Sequence, residues 1–346
     1  MYKRYFDYAS LHSFLEVLNI RDFREVLFFA YVYVFNKLLF GNWWLFLCLT
    51  TFLTSWLMLS SLLRLCKAQN LSISLSAIAL YLAALNPDHF VWTNHLMRQF
   101  LALSIFIYGF TFLSTNIKYR QWIALLFMIS SVYVQTSLGF FVAIAIISYI
   151  AYQVLTSKLL SRGKVRSVIF ILFLFGIFAI GLVFGPTLLT YVFSDITQSV
   201  SVYGGSEILD TTGIDPLAMR FNNLAFLIGA LISIICIVKR PTPFYTFYSI
   251  FFLIYAVLMF SLLSMPWYGL VAYRFSVNVF VLMFMFIPLL FTRVFGIIPF
   301  QKYSQPMFLF STLLGFRLFY TLSRSSFDFG DNFWLISNPL ILLLHT

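Results

Sequence analysis

A chain of 346 residues that is 62% hydrophobic and 10% charged, with a mean hydropathy of +0.94, carries more apolar surface than a soluble domain can bury. It reads as a polytopic membrane protein of the all-α class, because long apolar runs dominate and the short alternating segments of a membrane barrel are absent. The 22 basic residues against 11 acidic ones give +11, but they stand singly or in small groups between apolar runs without interleaved aromatics, so nucleic acid is not an expected partner.

The N-terminus, MYKRYFDYASLHSF, lacks the apolar stretch of a signal peptide, which leaves insertion to the spans themselves. Apolar runs then predict spans near 26–40, 43–63, 71–85, 99–115, 121–135, 138–156, 167–190, 223–238, 246–263, 275–291, 306–322 and 333–345. The reading is a transmembrane helical bundle of about 11–12 spans in a single membrane domain, 1–346, whose first and last runs are short for a crossing of roughly 20 residues. Pro186, Pro266 and Pro288 mark breaks of the kind that line cavities. Cys48, Cys66 and Cys236 have neither CxxC nor Cys/His spacing and read as small buried hydrophobes.

Basic groups recur at Arg64/Lys67, Lys118/Arg120, SKLLSRGKVR (157–166), Lys239/Arg240 and Arg293/Lys302, in every second connection, as cytoplasmic loops demand. The other connections, 86–98, 135–137, 191–222, 264–274 and 323–332, then face outward. They hold four arginines, Arg98, Arg220, Arg274 and Arg324, and no lysine. Snorkelling cations belong mainly on the opposite side, and an arginine fork fits a phosphate edge without losing its charge on burial. An outward arginine cluster in an apolar groove therefore suits an anionic lipid headgroup, a pyrophosphate above all, unless an acid of the 191–222 loop bridges each arginine.

Other outward candidates are weaker. His89 and His95 have an untrustworthy ligand spacing, so no metal is expected, and with Asp210 and Asp215 they are the candidate general bases, among which the sequence does not choose. Trp92, Trp267, Tyr268 and Tyr273 sit on the same rim, where an aromatic belt and a sugar-stacking face look alike. No GxSxG, Walker A, GxGxxG or DxD-type motif is present, and no cofactor is expected.

The stretch NHLMRQFLALSIFIYGFTFLSTNIKYRQWIALLFMISSVYVQTSLGFFVAI resembles the central block of EpsG-like and Wzy-type bacterial polysaccharide polymerases. There an Asn–Arg–Gln–Ala-like motif opens a span and a His-Ser-like step closes the next; here that step is Gln135-Thr136-Ser137, without the histidine. YRFSVNVF resembles the family's later arginine segment, and DY at 7–8 with REVLFFAYVYVF its early Asp…Tyr and Glu-containing region.

The resemblance implies a GT-C-like membrane glycosyltransferase, an O-antigen or capsule polymerase at the outer face of the bacterial inner membrane. It would pass a glycan from undecaprenyl pyrophosphate to a new lipid-linked repeat unit, as in lipopolysaccharide synthesis, without a metal. Arg98 and Arg274 would hold the pyrophosphate, with Asn94, Gln99, Gln135, Arg220, Tyr273, Arg324, Trp92 and Trp267 binding substrate. Membrane lipid is a partner, a chain-length regulator is a candidate one, and the family pattern leads us to expect a span preceding this N-terminus. A flippase or transporter for lipid-linked oligosaccharides, and another membrane transferase such as an O-antigen ligase or acyltransferase, stay open as alternatives.

Overall fold

The computed structural model describes residues 2–21, 23, 25–84, 97–156, 176, 216–263 and 278–292, and all their regular structure is helical. The elements are α1 (Tyr2–Leu11), α2 (Phe14–Leu18), α3 (Val26–Leu38), α4 (Trp43–Ala68), α5 (Ile73–Ala84) and α6 (Met97–Phe110), followed by a 3-10 turn at Thr111–Ser114. After it come α7 (Arg120–Val134), α8 (Gly139–Thr156), α9 (Pro216–Lys239), α10 (Pro243–Leu263), α11 (Asn278–Phe284) and α12 (Ile287–Leu290).

Among the described residues four helices are long and apolar enough to cross a membrane: Trp43–Ala68, Met97–Ser114, Thr136–Thr156 and Pro243–Ser261. They coincide with the predicted spans at 43–63, 99–115, 138–156 and 246–263. Those predicted at 26–40, 121–135, 223–238 and 275–291 fall on shorter apolar helices. Those at 306–322 and 333–345, and all of 167–190 but residue 176, lie outside the described residues.

Contacts sort the helix ends into two sets. At one end Arg64 of α4 donates to the Tyr108 carbonyl (2.8 Å) and to Thr111 Oγ1 (2.7 Å) at the end of α6, its guanidinium 3.7 Å from the centre of the Phe112 ring. Arg240 Nη2 donates to the Leu155 carbonyl (3.4 Å), tying the α9–α10 link to the end of α8, and Phe110 stacks on Phe247 at 5.2 Å, tying both to α6. At the other end lie the starts of α3, α6, α8 and α11, joined by contacts among Glu25, Arg98, Gln99, Thr136 and Asn278.

This arrangement alters the reading of 26–40. α3 starts beside Arg98, and its hairpin partner α4 meets it through its first two turns: Tyr31 Oη and Thr50 Oγ1 are 2.7 Å apart, and the Tyr31 and Phe46 rings lie 5.4 Å apart. The second half of α4 instead runs beside α6 in the same direction, through Trp56–Tyr108 and Arg64–Thr111. With Thr111 level with Arg64, Arg98 is level with about residue 51 of α4, so roughly 12 Å of α4 extends past it at 1.5 Å per residue. α3 fills that height and does not cross to the Arg64 end. Against it pack α1, through Phe6 on Phe46, Asn36 Nδ2 on the Phe6 carbonyl (2.8 Å) and Lys37 Nζ on the Ser10 carbonyl (3.1 Å), and α2, through Phe14 and Tyr33.

The core is aromatic. Phe106 and Phe110 of α6, Phe141 of α8 and Tyr248, Phe251 and Tyr255 of α10 stack in one column of buried rings, which makes α10 the axis around which α6, α8, α9 and α11 pack. Gly109 permits the close approach of α6 and α7, since a Cβ there would stand 2.4 Å from Phe127 Cβ and 3.0 Å from the Ala124 carbonyl.

Candidate functional site

Arg98 is the second residue of α6. This cation is 9% exposed, and a charge so buried requires an anion nearby. Glu25 supplies it. Its Oε2 accepts from Arg98 Nη1 in an ion pair, and its side chain is as buried as its partner's, at 5% against 11% exposed. Glu25 and Arg98 are the buried charges of the described residues.

The acid is fixed from several sides. Glu25 precedes α3 with a left-handed φ of 58°, a strained conformation for a residue with a Cβ, and its carbonyl accepts from Phe28 (3.0 Å) and Phe29 (3.2 Å), which starts the helix. Its Oε1 accepts the Thr136 N–H at 3.3 Å, so α3, α6 and the α7–α8 turn meet on one carboxylate. The Phe28 ring lies 5.7 Å from the guanidinium carbon and closes the apolar side.

A neutral polar group adjoins the charged one. Gln99 Nε2 donates to Asn278 Oδ1 at 3.5 Å, and Asn278, 1% exposed at the start of α11, interacts in turn with the Tyr255 hydroxyl of α10. Two buried polar atoms here have no hydrogen-bond partner among the described residues: Arg98 Nε, a donor, and Gln135 Oε1, an acceptor. Asn223 Oδ1 and Ser233 Oγ of α9 and Ser249 Oγ of α10 are likewise unpaired. Buried polar groups are nearly always paired, so a donor left unpaired on an arginine already held in an ion pair marks a place for a ligand that accepts from it.

Of the residues singled out from the sequence, the structure brings Arg98, Gln99 and Gln135 to one end of the bundle. Arg274, Asp210, Asp215, His89, His95, Asn94, Tyr273, Arg324, Trp92 and Trp267 lie outside the described residues, as does the side chain of Arg220. Arg98 is recessed beside α4 and bridged to an acid, Glu25. Glu25, Asn278 and Tyr255 are additions. A signal for Glu25 was present, since it is the one acid leading directly into the apolar run VLFFAYVYVF. Among the described residues no group of three or more His, Cys, Asp or Glu side chains is placed to hold a metal ion.

A sequence profile of the EpsG family matches residues 1–335. No curated protein and no solved structure matches the chain. The match runs through α1 to α12 and takes in Glu25, Arg98, Gln135 and Asn278. The chain belongs to the EpsG family, and with it to the membrane glycosyltransferases of the polysaccharide-polymerase kind.

Proposed function

We propose that the protein elongates a surface polysaccharide by moving a growing glycan from undecaprenyl diphosphate onto a new lipid-linked repeat unit at the outer face of the bacterial inner membrane. The observation that carries this reading is the buried Arg98, whose Nε is left open while its Nη1 is held by Glu25. A lipid diphosphate is an anion that arrives from within the membrane, and a recessed guanidinium beside a membrane-spanning helix is placed to receive it.

In the transfer, an acceptor hydroxyl attacks the anomeric carbon of the donor glycan, the bond from that carbon to the diphosphate oxygen breaks, and the lipid diphosphate leaves with the electron pair. Charge grows on the leaving oxygens, and fixed donors aimed at them stabilise the transition state. Arg98 is the described donor for that task, Arg274 the second by sequence. Gln99, Gln135, Asn278 and Tyr255 offer amide and phenol groups for sugar hydroxyls. Asp210, Asp215, His89 and His95 remain the candidate bases for the acceptor proton.

The test is the ladder of surface polysaccharide from cells with the intact gene, a deletion, Arg98→Lys or Arg274→Lys, with membrane levels checked. The reading predicts a single repeat unit on the lipid core for the deletion and both substitutions. A deletion that leaves no surface unit contradicts it in favour of transport; a deletion that leaves the unit polymerised but unattached to the core contradicts it in favour of a ligase.

A further inference from the structure

Resting on that reading, we infer that Glu25 is a positioning residue: it holds Arg98 by Nη1 so that the opposite, Nε-bearing edge of the guanidinium faces the diphosphate, while Gln135 Oε1 accepts a hydroxyl from the same ligand. A guanidinium has two edges that can each engage a pair of oxygens, one formed by Nε and the far Nη2, the other by the two Nη groups. Glu25 Oε2 accepts from Nη1. Nε, on the other edge, is buried without a partner among the described residues.

The carboxylate cannot follow a wandering arginine, because its own place is determined by the left-handed backbone at Glu25, the two amides of α3 on its carbonyl and the Thr136 amide on Oε1. The same Thr136 contact fixes the turn that carries Gln135. One acid thus holds both the arginine and the turn that carries Gln135. Glu25 and the ligand need not exchange places, since each uses a different part of the guanidinium.

An amide at position 25 would present an N–H₂ to one of two donors, Arg98 Nη1 or Thr136 N–H, and so cannot hold both. A reversed pair, Glu25→Arg with Arg98→Glu, would keep two opposite charges in the same place but turn the open donor into an acceptor. These two variants separate a positioning role from a structural one.

The experiment uses the full chain in lipid nanodiscs of phosphatidylethanolamine and phosphatidylglycerol, with farnesyl diphosphate as the probe and farnesol as the control, read by calorimetric titration. Wild type is expected to bind the diphosphate and not the alcohol. Glu25→Gln is expected to lose at least about tenfold in affinity, as a misdirected charged hydrogen bond would cost. The reversed pair is expected to fold, by its thermal unfolding midpoint, and not to bind. Should Glu25→Gln fail to fold, Glu25→Asp, which keeps the charge but draws the guanidinium back by one methylene, is expected to bind more weakly than wild type.

Binding by Glu25→Gln within twofold of wild type, binding by the reversed pair, or undiminished binding by Glu25→Asp where that variant has to decide, overturns the inference. So does failure of wild type to bind the probe. If wild type binds farnesyl diphosphate yet joins no repeat units, the polymerase reading falls while Glu25 keeps its role; if Glu25→Gln polymerises at the wild-type rate, the reverse holds.

Discussion

At the scale of single residues, the ion pair between Glu25 and Arg98 separates folding from function. Removing the cation, as in Arg98→Ala, strands a buried carboxylate and is expected to cost about 3–5 kcal/mol, visible as a lost or greatly reduced membrane level. Arg98→Lys keeps a charge for Glu25 but has no fork, so the protein is expected to accumulate normally while polymer formation falls by about a hundredfold or more in kcat/KM. Normal activity of Arg98→Lys at normal level would reduce the residue to a structural partner. Arg98 itself was legible in the sequence, because a cation on the side where snorkelling is not expected asks for an explanation. The pairing was not: Glu25 stands out as an acid before an apolar run, but it lies 73 positions earlier, and no local pattern encodes a pair closed by the packing of α3 on α6 and α7.

At the scale of elements, packing decides two outcomes. Gly109→Ala would drive a Cβ into Phe127 Cβ and the Ala124 carbonyl, neither of which can swing away, so α6 and α7 must separate; a loss of about 1–3 kcal/mol is expected. Gly229→Ala meets only the outer ring atoms of Phe252, which can tilt, and is expected to cost less. Thermal unfolding of the two variants in detergent gives the order. α2 shows a different kind of control: Glu16 Oε2 accepts from Ser13 N–H and Ser13 Oγ, both at 2.8 Å, and these bonds hold its exposed carboxyl below the usual carboxylate range. The stabilisation is therefore present above the unfolded carboxylate's value and lost as pH falls through the lowered one. Hydrogen exchange over residues 13–17, corrected for intrinsic rates, is expected to accelerate only in acid, below about pH 4, and Glu16→Gln to abolish that dependence. Helix positions were largely readable from apolar runs. The role of α3 was not, because a 13-residue apolar helix looks alike whether it begins a crossing or doubles back beside its neighbour.

At the scale of the molecule, the basic residues Arg64, Lys67, Lys118, Arg120, Lys239 and Arg240 cluster about one end, and the Glu25–Arg98 pair stands toward the other. The alternation of basic connections anticipated this division. Lys37 sits at the far end of α3 against Ser10, on the Arg98 side. The packing places the α1–α2 link and the α7–α8 turn on one side of the membrane. In a chain whose own cysteines are replaced, Ser13→Cys and Thr136→Cys are expected to react with an impermeant maleimide added to intact cells stripped of their outer barrier, and Lys118→Cys only after lysis. Labelling of Ser13→Cys and Lys118→Cys from one side would mean that α3 crosses after all.

The most direct test of the central claim is a reconstituted reaction: purified protein, a lipid-diphosphate-linked repeat unit, and a count of glycosidic bonds against lipid diphosphate released. A polymerase that uses Arg98 at the leaving group yields one lipid diphosphate per bond and chains of many units, and Arg98→Lys stops both together. Chains that form equally well with Arg98→Lys, or repeat units that cross the bilayer without being joined, would contradict it.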